Sequence, residues 1–229
     1  MKKILNVALA IILAIGMIPF MAWTASGADY FVEGDYWYTV DGGEATITHY
    51  TGSGGDTTLP STLGGYPITK INAFSGKLSL TGVTIPSGVT GIGNWAFMWC
   101  SKLTSVTIPN TVTSIGGSAF YECGLTSINI PGSVTNIGEE AFYGCPIKSV
   151  TIPKSVETIG AHAIGFKGGL SIYTKTRNFK LYGYKNTAGH SYAVDNGFAF
   201  ELIDGTAFEN FFRAIANFFR IFFNLLFPF

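Results

Sequence analysis

The residues of this chain that could do chemistry are few and far apart. His49, His162 and His190 lie in three different stretches, and no pair has the spacing of metal ligands on one element. His162 occupies a variable position, so we expect it to be exposed. Glu139 and Glu140 are a carboxylate pair in sequence only, because adjacent turn residues rarely converge on one substrate. The sequence predicts no catalytic residue, no metal site and no cofactor, and we expect that the protein is not an enzyme.

The three cysteines recur at one spacing. Cys100, Cys123 and Cys145 each stand three residues after a phenylalanine. Separations of 23 and 22 residues lack the local pairs of thiolates that zinc sites use, which argues against a metal. A disulfide between two neighbours is sterically conceivable, although the odd number leaves one thiol over. The pattern favours a column of buried thiols that act as small apolar core residues.

The cysteines belong to an internal repeat, which is the strongest signal in the sequence. A Leu-x-x-Val-x-Ile-Pro motif recurs with its prolines 23, 22 and 22 residues apart, and each proline is followed by Val, Ile-Gly and Ala-Phe (Ala-Ile in the fourth copy). The four copies begin at Leu80, Leu103, Leu125 and Ile147. An irregular copy covers residues 57–74, and a truncated one begins at Leu170. Atypical end copies are expected, because terminal coils must cap a stack.

A single copy predicts a strand followed by turns. Residues 106–108 alternate apolar and polar types, which predicts a strand with one buried face, and Pro109 should end it. Val112 and Ile115 give a second pair of inward positions. We expect Gly116 to let the chain turn, with a positive φ as one way of doing so.

One copy cannot bury its apolar residues alone. Coils stacked at a spacing of about 4.8 Å would share a continuous core of Leu, Val, Ile and Phe. On this interpretation Val106, Ile128 and Val150 are lateral neighbours on adjacent parallel strands. Such a stack leaves no segment large enough for a separate catalytic domain.

The complete motif, Leu-x-x-Val-x-Ile-Pro-x-x-Val-x-x-Ile-Gly-x-x-Ala-Phe-x-x-Cys, resembles the BspA-like bacterial leucine-rich repeat over roughly residues 57–172. Residues 36–48 resemble the hairpin that opens such arrays, and residues 183–203 resemble the segment that closes them. The resemblance implies a β-rich solenoid, a short right-handed stack of coils with an N-terminal hairpin cap. It also implies an extracellular or surface-attached protein that binds proteins or cell surfaces.

The N-terminus predicts secretion. Residues 1–28 combine the basic Lys2 and Lys3, an apolar run and small residues before Asp29, which is typical of a cleaved signal peptide. An uncleaved N-terminal membrane anchor is the alternative.

The predicted organisation has five parts. They are a signal peptide (1–28), an N-terminal cap hairpin (29–56), the solenoid (57–172), a C-terminal cap (173–204) and a hydrophobic amphipathic helix (205–229).

The predicted C-terminal helix carries one narrow polar stripe along an apolar surface. Arg213 and Arg220 lie on the stripe, whereas Phe211, Phe218 and Phe222 belong to the apolar surface. About 22 helical residues could span a bilayer, but two central arginines make spanning costly. A helix lying in the membrane interface fits better. Self-association into a bundle and docking on the open end of the solenoid are the alternatives.

The outward residues of the predicted strands form a candidate binding face, which we call the polar ladder. Its members are Ser105, Thr107, Ser127, Asn129, Ser149 and Thr151. A second candidate, the aromatic strip, consists of Trp99, Tyr121 and Tyr143 beside the Ala-Phe turns, because aromatic side chains anchor strong interfaces. Tyr121 and Tyr143 share one repeat position and should stack. The alternative is that these rings merely cover the edge of the core.

Charge is balanced overall but unevenly distributed. Residues 29–69 hold six acids and no Lys or Arg, whereas residues 148–190 hold seven bases against Glu157 alone. In an elongated fold one end is therefore negative and the other positive. The basic end could attract anionic polymers or lipid head groups, and ordinary solvated surface is the alternative.

Two functions compete at this stage. The first is a secreted or surface-associated, adhesin-like protein that binds a protein or cell surface and is held near the membrane by its C-terminal helix. The second is a structural protein of the cell envelope that oligomerises through that helix. No nucleic-acid partner is predicted for either.

Overall fold

The computed structural model describes residues 20–22, 29–168 and 173–203, which form a β-solenoid of about seven turns. The first half contains β1 (Phe20–Ala22), β2 (Tyr30–Glu33), β3 (Tyr36–Asp41), β4 (Glu44–Tyr50), β5 (Gly55–Thr58), β6 (Thr62–Leu63), β7 (Tyr66–Ile71), β8 (Leu80–Thr84), β9 (Gly91–Ile92) and β10 (Ser105–Thr107). The second half contains β11 (Ser114–Ile115), β12 (Asn136–Ile137), β13 (Ser149–Thr151), β14 (Thr158–Ile159), β15 (Phe166–Lys167), β16 (Thr174–Lys175), β17 (Lys180–Gly183), α1 (Ala188–Asp195) and β18 (Ala199–Leu202). The predicted β-rich solenoid is confirmed.

The N-terminal cap is an antiparallel meander that leads into the stack. Strands β3 and β4 form the predicted hairpin, and Gly42 and Gly43 turn it with φ values of 58° and 83°. Strand β4 then pairs in parallel with β7 of the first irregular coil. Strand β1 pairs antiparallel with β2 and lies inside the predicted signal peptide, most of which is outside the described residues.

One sheet runs unbroken through the stack, and we call it the continuous sheet. After β4 it contains β7, β9, β11, β12 and β14, all in parallel register. Its inward position is isoleucine in every coil, from Ile71 to Ile159. In the four regular copies, the glycine after the isoleucine donates its N–H to the isoleucine carbonyl of the preceding coil, as from Gly116 to Ile92 at 2.8 Å. The same inter-coil hydrogen bond therefore recurs at one position of the repeat and joins neighbouring coils on this side of the stack.

The opposite set of strands is divided, and we call it the interrupted sheet. One part contains β5, β8 and β10, and the other contains β13, β17 and β18. Val106 pairs with Val83, and Val150 pairs with Leu181. Residues 116–135, all of them described, carry no assigned strand, so the prediction that Ile128 joins Val106 and Val150 on adjacent strands is wrong. Ile128 is instead half-buried against the core.

The interruption coincides with a change in coil length. Two residues separate Cys100 from Leu103, but Gly124 alone separates Cys123 from Leu125. The shorter linker runs directly against the preceding coil, because a Cβ on Gly124 would lie 2.6 Å from the carbonyl oxygen of Ser101. The strand is thus missing where a longer coil is followed by a shorter one, although the fourth copy, which also has a one-residue linker at Pro146, forms β13 beside β17.

Phenylalanines form the centre of the core. Phe74, Phe97, Phe120 and Phe142 stack with ring centroids 5.0, 5.2 and 5.3 Å apart and nearly parallel planes. Stacked aromatic pairs stabilise a core beyond the area that they bury. Each ring is fully buried, so the Ala-Phe pair of the repeat contributes to folding rather than to a surface.

Gly116 is needed for space rather than for rotation. Its φ is not in the left-handed region, so the positive φ offered as one explanation is not the reason. A Cβ there would lie 2.6 Å from the backbone nitrogen of Asn94 in the preceding coil. Gly138 and Gly160 meet the backbone of their preceding coils at 2.4 and 2.3 Å in the same way. The Ile-Gly of the motif therefore allows two coils to approach closely.

The C-terminal cap closes the stack where the phenylalanine column ends at Ile164. Helix α1 places Tyr192 against this coil, and its hydroxyl donates to the Ile164 carbonyl at 2.8 Å and accepts from the Ile164 N–H at 3.0 Å. Burial raises the pKa of Tyr192 to about 12. Strand β13 pairs with β17, while most of the truncated copy predicted from Leu170 lies outside the described residues.

Candidate binding surfaces

The polar ladder is exposed throughout. Ser105 and Thr107 project from β10 beside Gly82 and Thr84 of β8, whereas Ser149 and Thr151 project from β13 beside Lys180 and Tyr182 of β17. Ser127 and Asn129 lie between the two groups and are also exposed, but they are not on a strand. Four of the six residues are thus on two strands, and the remaining two lie on the strandless segment between them. Their role in binding stays a prediction.

The aromatic strip differs in exposure from end to end. Trp99 is 52% exposed, Tyr121 is half-buried and Tyr143 is 1% exposed. The predicted stacking of Tyr121 on Tyr143 is confirmed, with centroids 4.9 Å apart. Tyr143 also meets the edge of Tyr173 at 5.5 Å, so this ring packs between coils. As a binding surface, the strip stays a prediction in which Trp99 presents the largest exposed ring.

Two tryptophans stand in left-handed backbone conformations. Trp95 has a φ of 57° and Trp99 a φ of 61°, a region that bulky side chains seldom occupy. Inter-coil hydrogen bonds explain why the fold tolerates it: the N–H of Trp95 donates to Gly117 at 2.9 Å, and that of Trp99 donates to Tyr121 at 2.7 Å. Later coils keep this conformation with other residues, so the fold requires the backbone shape and not the indole.

An open groove of about 920 Å³ lies on the continuous sheet beside Trp95. Both polar and apolar side chains line it, and the sequence did not predict it. The signal that could have predicted it is the short segment around the Ile-Gly of each coil. This segment forms a second short strand, and the residue before the isoleucine points outward. That position holds Lys70, Gly91, Ser114, Asn136 and Thr158 in successive coils.

The three thiols are buried and free. Each Sγ donates to the carbonyl of the phenylalanine one coil earlier, at 3.0 Å in all three cases. Burial raises the pKa of Cys100 to about 11 and that of Cys145 to about 12, and it raises the pKa of Cys123 further. Thiols that keep their protons are poor nucleophiles and poor metal ligands. The buried-thiol interpretation is confirmed.

The other candidate groups have structural roles. The prediction that His162 is exposed is wrong, because it is half-buried and stacks on Tyr173 with centroids 3.8 Å apart. Glu140 accepts a hydrogen bond from the Tyr173 hydroxyl at 2.7 Å, which raises the pKa of Tyr173 to about 12. Among the described residues, no three His, Cys, Asp or Glu side chains converge as a metal site would require.

The basic end is exposed as a group. All seven Lys and Arg side chains of residues 148–190 are exposed. Lys180 forms an ion pair with Glu201 at 2.6 Å, and Lys154 lies over the ring of Tyr184 at 4.3 Å. Surface pairs of this kind contribute little to stability.

The class of protein is defined by comparison with known families. The model of the BspA type leucine-rich repeat region matches residues 68–186 in six copies, and the chain belongs to this family. Among curated proteins, none matches the sequence.

Solved structures show the same architecture. The T. pallidum leucine-rich repeat protein TpLRR is 30% identical, with 65% of this chain and 68% of that chain covered and a TM-score of 0.58. A leucine-rich repeat protein from Bacteroides ovatus is 29% identical, with 66% of this chain and 46% of that chain covered and a TM-score of 0.57. This chain therefore spans less than half the length of the second. The pneumococcal vaccine antigen PcpA, at 16% identity and a TM-score of 0.50, shares the fold.

The predicted membrane helix of residues 205–229 lies outside the described residues. Of the helices that the structure describes, none has both the length and the apolar character needed to cross a bilayer.

Proposed function

We propose that this protein is a secreted or surface-associated binding protein, adhesin-like rather than enzymatic. The observation that carries the proposal is the exposure of the polar ladder on a stack whose stability depends on inward residues. Outward positions of a repeat array are free to vary without loss of folding, and extended surfaces of this kind suit protein partners. Membership of the BspA type family supports an extracellular binding role.

The ligand is proposed to be a protein or a cell surface, and the polar ladder to be the contact. Its small hydroxyl and amide side chains make shallow contacts, so an aromatic anchor is needed for strong binding. Trp99 is the ring of the aromatic strip that offers the largest exposed area.

A charge substitution with a matched control tests the binding face. Thr107→Arg introduces a bulky cation on the ladder, whereas Asn110→Arg places the same group on exposed surface just beyond Pro109. Saturable binding of labelled protein to intact bacterial and eukaryotic cells is expected to weaken at least tenfold in the first variant and to persist in the second. Equal binding by both variants would exclude the ladder, and no saturable binding of the wild type would exclude the function.

The C-terminal helix is proposed to hold the protein near a membrane, with Arg213 and Arg220 toward the head groups. Deleting residues 205–229 should release the protein from anionic vesicles and from the membrane fraction of cells. Analytical ultracentrifugation of the full-length and truncated proteins separates this proposal from envelope assembly. Envelope assembly requires that the full-length protein forms oligomers and that the truncated protein does not. Surface protease accessibility on whole cells tests the proposed location.

A further inference from the structure

The groove on the continuous sheet has an aromatic wall and a polar lining. Trp95 forms the wall, and the side chains of Lys70, Asn72, Asn94, Ser114 and Asn136 surround the remainder. None of the described residues that line it carries a carboxylate. Ile92 and Met98 also line the groove, which therefore combines an apolar surface around one exposed ring with a set of hydroxyl, amide and ammonium groups.

The floor of the groove is backbone that packing keeps free of side chains. A Cβ on Gly93 would lie 1.6 Å from Oδ1 of Asn72, and a Cβ on Gly116 would collide with the backbone of Asn94. Gly91 also leaves the outward position between Lys70 and Ser114 empty of a side chain. The bare floor of the depression is thus a consequence of how closely the coils stack.

Trp95 is exposed where the fold does not need a tryptophan. Its indole is 59% exposed, and the equivalent positions of the later coils hold Ser118, Glu140 and His162 with the same left-handed φ. The backbone hydrogen bond to Gly117 fixes the main chain at Trp95, and the residue lines the groove.

Hydrogen bonds within the protein orient two of the amides. Oδ1 of Asn94 accepts from the N–H of Gly117 at 2.7 Å, and Oδ1 of Asn136 accepts from the hydroxyl of Thr158. These contacts commit the amide oxygens and leave the amide nitrogens as donors. With the ammonium group of Lys70, the lining favours a ligand that is rich in hydrogen-bond acceptors.

We propose that this groove binds a saccharide whose ring packs on Trp95. The face of an indole carries negative potential, which attracts the polarised C–H groups on one face of a pyranose. Ring hydroxyl, acetamido or carboxylate oxygens accept from Asn94, Asn136 and Lys70. A few placed polar groups beside an apolar surface are what fix a small ligand's orientation.

A proline-rich peptide is the competing ligand, since such peptides also dock on exposed aromatic rings. Their grooves are lined by several aromatic side chains, whereas Trp95 is the single ring among the described residues that line this one. The saccharide therefore fits the lining better. The groove lies on a different sheet from the polar ladder, so saccharide binding there does not depend on whether the ladder binds a protein.

The test uses the full-length protein and two matched variants. Trp95→Ser introduces the residue of the next coil, and Trp99→Gly introduces the residue found at Gly76 and Gly144, so both should keep the fold. The probes are an array of N-acetylhexosamine, uronic acid and neutral hexose oligosaccharides and a set of proline-rich peptides. The best probe is then titrated by calorimetry.

We expect a saccharide to bind the wild type, to bind Trp95→Ser at least tenfold more weakly and to bind Trp99→Gly within twofold of the wild type. Three results would overturn the proposal: no saccharide bound at millimolar concentration, equal losses in the two variants, or binding of the peptides alone. Circular dichroism of each variant ensures that a loss of binding reflects the groove and not unfolding.

Discussion

The two sheets of the solenoid are built from the same repeat, yet one is unbroken and the other is divided. In the continuous sheet, the step from the proline to the Ile-Gly has one length in all four regular copies, and an isoleucine pairs with an isoleucine in each coil. In the interrupted sheet, the linker from cysteine to leucine loses one residue after the second copy, and the strand at Ile128 is missing.

The difference shows that the same motif need not form a strand in every copy: the fourth copy, whose linker is also a single residue, Pro146, forms β13 by pairing with β17. The third copy keeps its apolar alternation, and Ile128 still packs on the core. Ladder hydrogen bonds, however, require backbones at a set separation and register. The continuous sheet, where the step from proline to Ile-Gly is constant, joins all the coils, whereas the interrupted sheet follows the linker whose length changes.

Truncating one isoleucine on each side measures this difference. Ile115→Ala in the continuous sheet should lower the free energy of unfolding by about 2–5 kcal/mol, because the side chain is fully buried between two coils. Ile128→Ala should cost about 1 kcal/mol, since its side chain is half-buried and outside a strand. Urea denaturation of both variants provides the values. Equal losses would contradict the conclusion that the continuous sheet contributes more to stability than the interrupted sheet.

Adding one methyl group to the close approach of two coils should also destabilise the protein. Gly116→Ala places a Cβ 2.6 Å from the backbone of the preceding coil, so we expect a loss of about 1–3 kcal/mol. Gly132→Ala is the control, because a Cβ there meets no atom within 4 Å. The midpoint of thermal unfolding should fall for Gly116→Ala and should hardly change for Gly132→Ala. A stable Gly116→Ala protein would mean that the coils can separate at no cost.

High pH should destabilise the fold through the buried thiols and Tyr192. The native pKa of Cys100 is about 11 and that of Tyr192 about 12, above the ordinary values of 9.0 and 10.0. At a pH between the unfolded and the native pKa of each group, the unfolded state binds fewer protons than the native state. The contribution of these groups to stability is therefore complete below about pH 9 and is lost as the pH rises from 9 to 12.

Denaturation at a series of pH values checks this expectation. Replacing Cys100, Cys123 and Cys145 with alanine should flatten the fall between pH 9 and 11 and leave the part that Tyr192 contributes. An unchanged pH profile in the triple variant would show that the thiols do not cause the effect.

The smallest expected effect on stability comes from lengthening the linker between Cys123 and Leu125. Inserting one serine after Gly124 restores the two-residue spacing of Cys100 and Leu103, and we expect a change within about 1 kcal/mol. Amide hydrogen exchange at residues 127–129 should become slower, because a new strand would pair with β10. Unchanged exchange would show that linker length is not what removes the strand.

The sequence predicted the inward positions well because they depend on local alternation that each copy repeats. The columns of Phe97 and Phe120 and the thiol of Cys123 follow directly from residue type and spacing. It missed the groove, because a depression made of bare glycine backbone has no pattern of its own. It also placed His162 at the surface, since the ring of Tyr173 that covers it comes from outside the regular repeat.

By itself, the sequence determined the solenoid, its repeat length and its core, since any chain with this spacing of apolar residues must stack coils to remove them from water. The tertiary structure alone decided which side of the stack stays paired and where Trp95 stands beside an open groove. These features depend on distances between neighbouring coils, and a motif written along one coil does not contain such distances.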